Sequence, residues 1–116
     1  MSYQEEAYKF AKYCGSEYPF LALGEEAGEV LGKLAKYVRK NNLSLEDSLD
    51  KARGNIYTTG KKLKQDLVTE LGDVMWQLAA CCTELGVTLE DLQRLNLEKL
   101  AGRTDRGTIV GEGDER

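Results

Sequence analysis

The chain has 116 residues, enough for one domain and a single modest core. Its formal net charge of −4 argues against a generic nucleic-acid polymer as partner, which would need a basic face. It contains no histidine, which removes Ser-His-Asp and Cys-His nucleophile systems and any His-ligated zinc site. The first helix is expected over residues 2–14, with Tyr3, Ala7, Phe10, Ala11 and Cys14 on one face. Pro19, the only proline, marks the break before a second helix over residues 20–40. That helix has apolar positions Leu23, Ala27, Val30, Leu31, Leu34 and Val38. Residues 41–60 read as a connection with a small element inside it: Ser44 caps a short helix over 45–52, followed by a turn at Gly54-Asn55 and the Thr58-Thr59-Gly60 stretch. A third long helix follows over residues 61–85, through Leu67, Leu71, Val74, Met75, Leu78, Cys82 and Leu85, with Gly86 as its left-handed stop. Thr88 with Asp91 resembles a capping box and opens a last helix reaching about residue 100.

Alternating β patterns are essentially absent, so the expected fold is all-α: a four-helix bundle-like domain over residues 1–101, followed by a mobile, Gly-rich charged tail over 102–116. No apolar run is long enough to span a bilayer and no amino-terminal signal is visible. A cytoplasmic protein without a membrane partner is therefore expected. Cys14, Cys81 and Cys82 are odd in number and lack C-x-x-C spacing, so they read as small buried hydrophobes in a reduced compartment.

The chemistry-bearing feature is a pair of short carboxylate motifs, Glu26-x-x-Glu29 and Glu70-x-x-Asp73, each inside a predicted helix. A spacing of three places both carboxylates of a pair on one side of a helix. At ~100° per residue, both pairs flank the apolar stripe of their helix with the same sense of offset. Antiparallel packing of the two helices would bring the edges together at one margin of the core. Four clustered carboxylates repel one another unless a cation lies between them, and all-oxygen ligands select a hard divalent ion. One such pair alone is an ordinary solvated helix face, as at Asp47-x-x-Asp50; two with matching offsets point towards metal-assisted phosphate chemistry.

The strings Leu-Gly-Glu-Glu-Ala-Gly-Glu-Val at residues 23–30 and Glu-Leu-Gly-Asp-Val-Met-Trp-Gln-Leu-Ala at 70–79 resemble the MazG-type nucleotide pyrophosphohydrolases, of the all-α NTP pyrophosphatase group. A third string, Asn96-Leu97-Glu98-Lys99-Leu100 followed by Arg103, resembles that family's Asn-x-x-Lys-Leu segment with its trailing Arg. The resemblance implies hydrolysis of a nucleoside triphosphate to the monophosphate and pyrophosphate. It also implies Mg²⁺, with Mn²⁺ as a substitute, held by Glu26, Glu29, Glu70 and Asp73. Glu25 is carried along as an extra ligand or base. Lys33, Asn96, Lys99 and Arg103, with Arg106, are the candidates for contact with phosphate.

The resemblance further implies a homodimer or homotetramer, a neighbouring subunit completing the pocket. Gly24, Gly28 and Gly32 form a smooth strip on the second helix that suggests close approach of another helix, from the same chain or a second copy. Tyr37 falls near the Glu26/Lys33 edge. Forty-one positions separate Glu29 from Glu70, longer than the usual family gap, with the excess in residues 41–60. A related activity on phosphoribosyl-ATP and a non-catalytic helical dimerisation module are the competing expectations.

Overall fold

The structure, a computed structural model, describes residues 1–54 and 60–113. Five helices occur among them: α1 (Tyr3–Tyr8), α2 (Tyr18–Asn41), α3 (Leu45–Arg53), α4 (Lys61–Leu85) and α5 (Leu89–Asp105). No strand is present among the described residues. The all-α expectation holds, and the boundaries of α4 are those the apolar period predicts. Part of the turn expected at 54–60 lies outside the described residues.

Helix ends follow local chemistry. Ser44 accepts a hydrogen bond from the Asp47 N–H, and Thr88 and Asp91 form the reciprocal capping box expected of them. Pro19 lies inside the first turn of α2, where its missing N–H costs no hydrogen bond. Gly86 closes α4 at φ 71°, a left-handed conformation that glycine adopts without penalty.

Two helix lengths differ from expectation. α1 stops at Tyr8 rather than running to residue 14. The indole Nε1 of Trp76 donates to the Ala7 carbonyl at 3.0 Å, and the Phe10 N–H also turns to that oxygen at 3.1 Å. The acceptor a continuing helix would offer to Ala11 is thus taken, and the Ala11 N–H bonds to Tyr8 instead. Phe10 and Cys14 are consequently exposed rather than on a buried face. α5, in contrast, passes through Gly102 and ends five residues later than expected. Its left-handed stop is Gly107, where the Thr108 N–H returns to the Arg103 carbonyl at 2.8 Å. Arg103, expected at the start of a mobile tail, is instead a buried residue of this last turn.

α2 and α4 form the body of the molecule. Their register is antiparallel: Glu26 faces Asp73, Lys33 faces Glu70, and the end of α2 from Lys36 to Asn41 faces Lys62 to Asp66. α1 packs on the far half of α4, where Ala7, Ala79, Ala80, Cys81 and Cys82 are buried. Gln4 ties this corner together. Its Nε2 donates to the Val87 carbonyl at 2.9 Å, and its Oε1 accepts from the Leu89 N–H at 2.8 Å. The Tyr13 hydroxyl donates to Glu84 at 2.7 Å, which holds the segment after α1 against α4.

The single chain is not a closed four-helix bundle. α5 touches mainly α4, and the Cα radius of gyration of 17.5 Å exceeds the roughly 13 Å of a compact chain of this length. Leu31, Leu71, Met75 and Leu85, expected along the apolar stripes, are each exposed, as is Val68. The glycine strip on α2 has no neighbour in the chain: a Cβ at Gly24, Gly28 or Gly32 meets nothing within 4 Å. The close approach suggested by that strip is therefore not made within the chain.

α3 crosses the far end of the α2–α4 pair, with Ser48 fully buried and its hydroxyl donating to the Ser44 carbonyl at 2.8 Å. Gly60 is where α4 starts under it. A Cβ there would lie 2.1 Å from the Lys51 carbonyl oxygen, a backbone atom that cannot move without displacing α3. Gly60→Ala is expected to destabilise the fold by about 1–3 kcal/mol, seen as a lower midpoint in thermal or urea unfolding; an unchanged midpoint would show that α3 is not held this closely.

Candidate functional site

Glu26, Glu70 and Asp73 meet at the margin of the α2–α4 seam. One carboxylate oxygen from each lies within 4.8 Å of the others. The helical period explains this. Glu70 and Asp73 are three apart on α4, hence on one side, and the antiparallel partner offers Glu26 to both. Glu26 and Glu70 are half-buried and Asp73 is exposed, so the trio sits at a rim open to solvent on one flank.

Burial pushes the Glu26 carboxyl above its usual range. The charges of Asp73, Glu70, Glu25 and Glu29 push it further in the same direction. That list of repelling neighbours also locates the remaining acidic residues. Glu25 and Glu29 stand exposed beside the trio, close enough for their fields to reach Glu26, but outside the group whose oxygens converge. Lys33 is the one cation at this edge in the described residues, its Nζ 3.8 Å from Glu70 Oε1.

The candidates on α5 lie elsewhere. Asn96 and Lys99 are exposed, and α5 follows α4 after the Gly86 turn and has its chief contact with that helix. Asp73 is twelve residues from Leu85, about 18 Å along the helix. Arg103 is buried at the foot of α5, donating to the Gly113 carbonyl at 3.4 Å, and Arg106 is exposed beside Gly102. α5 makes at most marginal contact with α2, the helix that carries Glu26.

Sequence reasoning placed Lys33 and Tyr37 on the Glu26 edge but missed the charged residues around them. Beyond Lys33 the seam continues into a cleft of about 420 Å³ lined by Lys36, Tyr37, Lys40, Lys62 and Asp66 among others. Lys33, Lys36, Tyr37 and Lys40 recur at the same three-to-four spacing as Glu26 and Glu29. One helix edge thus changes sign from acidic to basic along its length. That recurrence was the signal available.

A chain with two long antiparallel helices and this carboxylate geometry can be set against known proteins. The model of the MazG nucleotide pyrophosphohydrolase domain matches residues 16–108. The chain belongs to this family. Gene 37 protein of Mycobacterium phage L5 is 37% identical over 103 residues, covering 88% of this chain and 77% of that protein. The uncharacterized protein YvdC of Bacillus subtilis (strain 168) is 35% identical over 88 residues, covering 73% of this chain and 74% of YvdC. No solved structure matches the chain. The MazG match begins after α1 and includes the whole of α2, α3, α4 and α5. No helix among the described residues is long and apolar enough to cross a membrane.

The repulsion at Glu26 has a stability consequence with a definite sign. Its proton is held more tightly in the folded chain than in the unfolded one. The folded state therefore binds more protons, and the contribution of this group falls as pH rises through its raised pKa. In chelator-treated protein near pH 7, Glu26→Gln is expected to melt above the unsubstituted chain, the gap narrowing towards about pH 4. A variant that melts equal or lower would show that the carboxylates do not strain one another.

Proposed function

We propose that this MazG domain hydrolyses a nucleoside triphosphate to the monophosphate and pyrophosphate in a divalent-metal-dependent reaction. The observation that carries the proposal is the convergence of Glu26, Glu70 and Asp73. Three hard oxygen donors at one rim, with few compensating cations, fit Mg²⁺ chemically.

When bound, such an ion supplies neutralisation of the phosphate chain and a water of lowered pKa. The chain's own residues do the rest. Glu26, Glu70 and Asp73 hold the ion, and Glu29, one turn along α2, completes the set by rotation of its exposed side chain. Glu25 is the neighbouring carboxylate left to accept the proton of the attacking water. Lys33, already drawn to Glu70, offsets negative charge on the phosphates. Attack falls at the α-phosphorus, and pyrophosphate leaves.

The working assembly in this proposal is a homodimer or a dimer of dimers. The exposed apolar side chains on α2 and α4, the open glycine strip and the outlying α5 all support a second copy lying on the α2–α4 pair. In that assembly Asn96, Lys99 and Arg106 reach the phosphates of a neighbouring subunit, and the buried Arg103 holds the last turn of α5 beside them. A cytoplasmic setting and clearance of unwanted nucleotides complete the proposal.

Pyrophosphate release from a panel of ribo- and deoxyribonucleoside triphosphates, with and without Mg²⁺, is the direct test. Glu70→Gln and Asp73→Asn are each expected to abolish turnover while helicity by circular dichroism is unchanged; retained activity in either removes that residue from the site. Phosphoribosyl-ATP in the same panel separates the related hydrolase, and inertness towards every substrate favours the dimerisation module. The assembly has its own readout. In an isolated chain Gly28→Ala would stabilise α2 by about 0.5–1 kcal/mol. If a second copy packs on the strip, the same substitution weakens the dimer, measurable by sedimentation.

A further inference from the structure

Both long helices continue well past the carboxylates. α2 runs from Glu26 to Asn41, and α4 begins at Lys61, nine residues before Glu70. The extra length encloses the cleft of about 420 Å³. That volume lies in the ~300–1,000 Å³ range of small-ligand sites. Its walls carry four lysines, Lys33, Lys36, Lys40 and Lys62, against a single carboxylate, Asp66.

The charges are incompletely compensated. Lys62 is taken by Asp66, Nζ to Oδ1 at 2.6 Å, and Lys33 leans to Glu70. Lys36 and Lys40 have no ion pair among the described residues. They lie at i, i+4 on one face, a placement in which like charges repel. The fields of these lysines overlap in the cleft: the Asp66 carboxyl is held below its usual range first by the hydrogen bond from Lys62, then by the charges of Lys62, Lys33 and Lys36, with burial opposing. This concentration of positive charge occurs in a chain whose net charge is −4.

We propose that the lysine cleft binds a short condensed phosphate chain, pyrophosphate or tripolyphosphate, without a metal ion. Lysines act as mobile point charges suited to phosphate oxygens. From Lys33 to Lys40 the wall is about 10.5 Å long, so a linear anion with several charges fits it better than a single compact one. A long polyanion is disfavoured by the carboxylates at the Lys33 end, whose field repels any chain extending past the cleft. Tyr37, half-buried between the lysines, walls the site on one side. The cleft shares Lys33 with the proposed hydrolytic site but contains none of the three converging carboxylates, and the proposal goes beyond the hydrolytic reading because it needs neither a metal ion nor turnover.

Calorimetric titration of tripolyphosphate into the full chain, in EDTA at low ionic strength, tests it. Saturable binding of one anion per chain is expected. Lys36→Glu/Lys40→Glu should weaken it by at least about tenfold, and the milder Lys36→Gln/Lys40→Gln by less, with helicity unchanged in both. Orthophosphate should bind about tenfold more weakly than tripolyphosphate. Glu26→Gln should leave the affinity unchanged or raise it, whether or not that variant turns over nucleotides. Absence of saturable binding overturns the proposal. So does equal affinity for orthophosphate, full affinity in both lysine variants, or loss of binding in Glu26→Gln, which would move the anion to the carboxylates.

Discussion

The antiparallel register of α2 against α4 is the constraint on which the rest of the molecule depends. It decides which side chains face each other along one seam: Asp73 and Glu70 against Glu26, Glu70 against Lys33, and Lys62 and Asp66 against the last turns of α2. A shift by one residue on either helix rotates its charged edge by about 100° and disperses both the acidic cluster and the lysine cleft. The register is set away from the site. Ala7, Ala79, Ala80, Cys81 and Cys82 pack at one end, and α3 with its fully buried Ser48 closes the other. The Trp76 indole and the Gln4 amide fix α1 onto α4 between them.

This arrangement separates rigidity from chemistry. The buried small residues occupy the half of α4 beyond the carboxylates, while the charged seam lies where side chains are half-exposed. Clustering carboxylates at a rim costs stability, as the raised Glu26 shows, and the cost is moderate because Asp73 remains in water. Full burial would have neutralised the acids and ended their use as oxygen ligands. Full exposure would have left their spacing to chance. The half-buried rim holds the oxygens near one another while leaving one flank open to water.

The long helices and the meeting of their acidic edges were legible because both follow from one local rule, the 3.6-residue period. α4 could be bounded to the residue since Gly86 is a stop that acts through backbone conformation alone. α1 was misjudged because its apolar spacing does continue to Cys14; what ends it is a hydrogen bond from Trp76, sixty-nine residues away in the chain. No local pattern encodes a competitor for a carbonyl that arrives from another helix. α5 was cut short for the opposite reason. The Gly-rich, charged stretch from residue 102 read as a tail, yet glycine only weakens a helix interior by about 1 kcal/mol, and the left-handed turn is at Gly107. The lysines at positions 36, 40 and 62 were passed over because a charge on a helix ordinarily marks solvent. Only the register of α2 against α4 reveals that a basic face of each helix becomes one wall of a shared cleft.

The chain's acidity is therefore a misleading average. Along α2 the same face carries Glu26 and Glu29, then Lys33, Lys36 and Lys40, and α4 runs opposite with Lys62 first and then Asp66, Glu70 and Asp73. Antiparallel pairing superimposes the acidic segments on each other and the basic segments on each other. Parallel pairing would have matched opposite charges and produced a stable, chemically silent ladder of ion pairs. The observed register forgoes most of those pairs, leaving Lys33–Glu70 at the junction, and creates adjacent regions of opposite unmet charge. Water meets much of this charge at the exposed side chains, and the cation and the anion proposed above would each meet more of it, one at either end. The two demands are coupled through Glu70, which belongs to the carboxylate group and also meets the first lysine of the cleft.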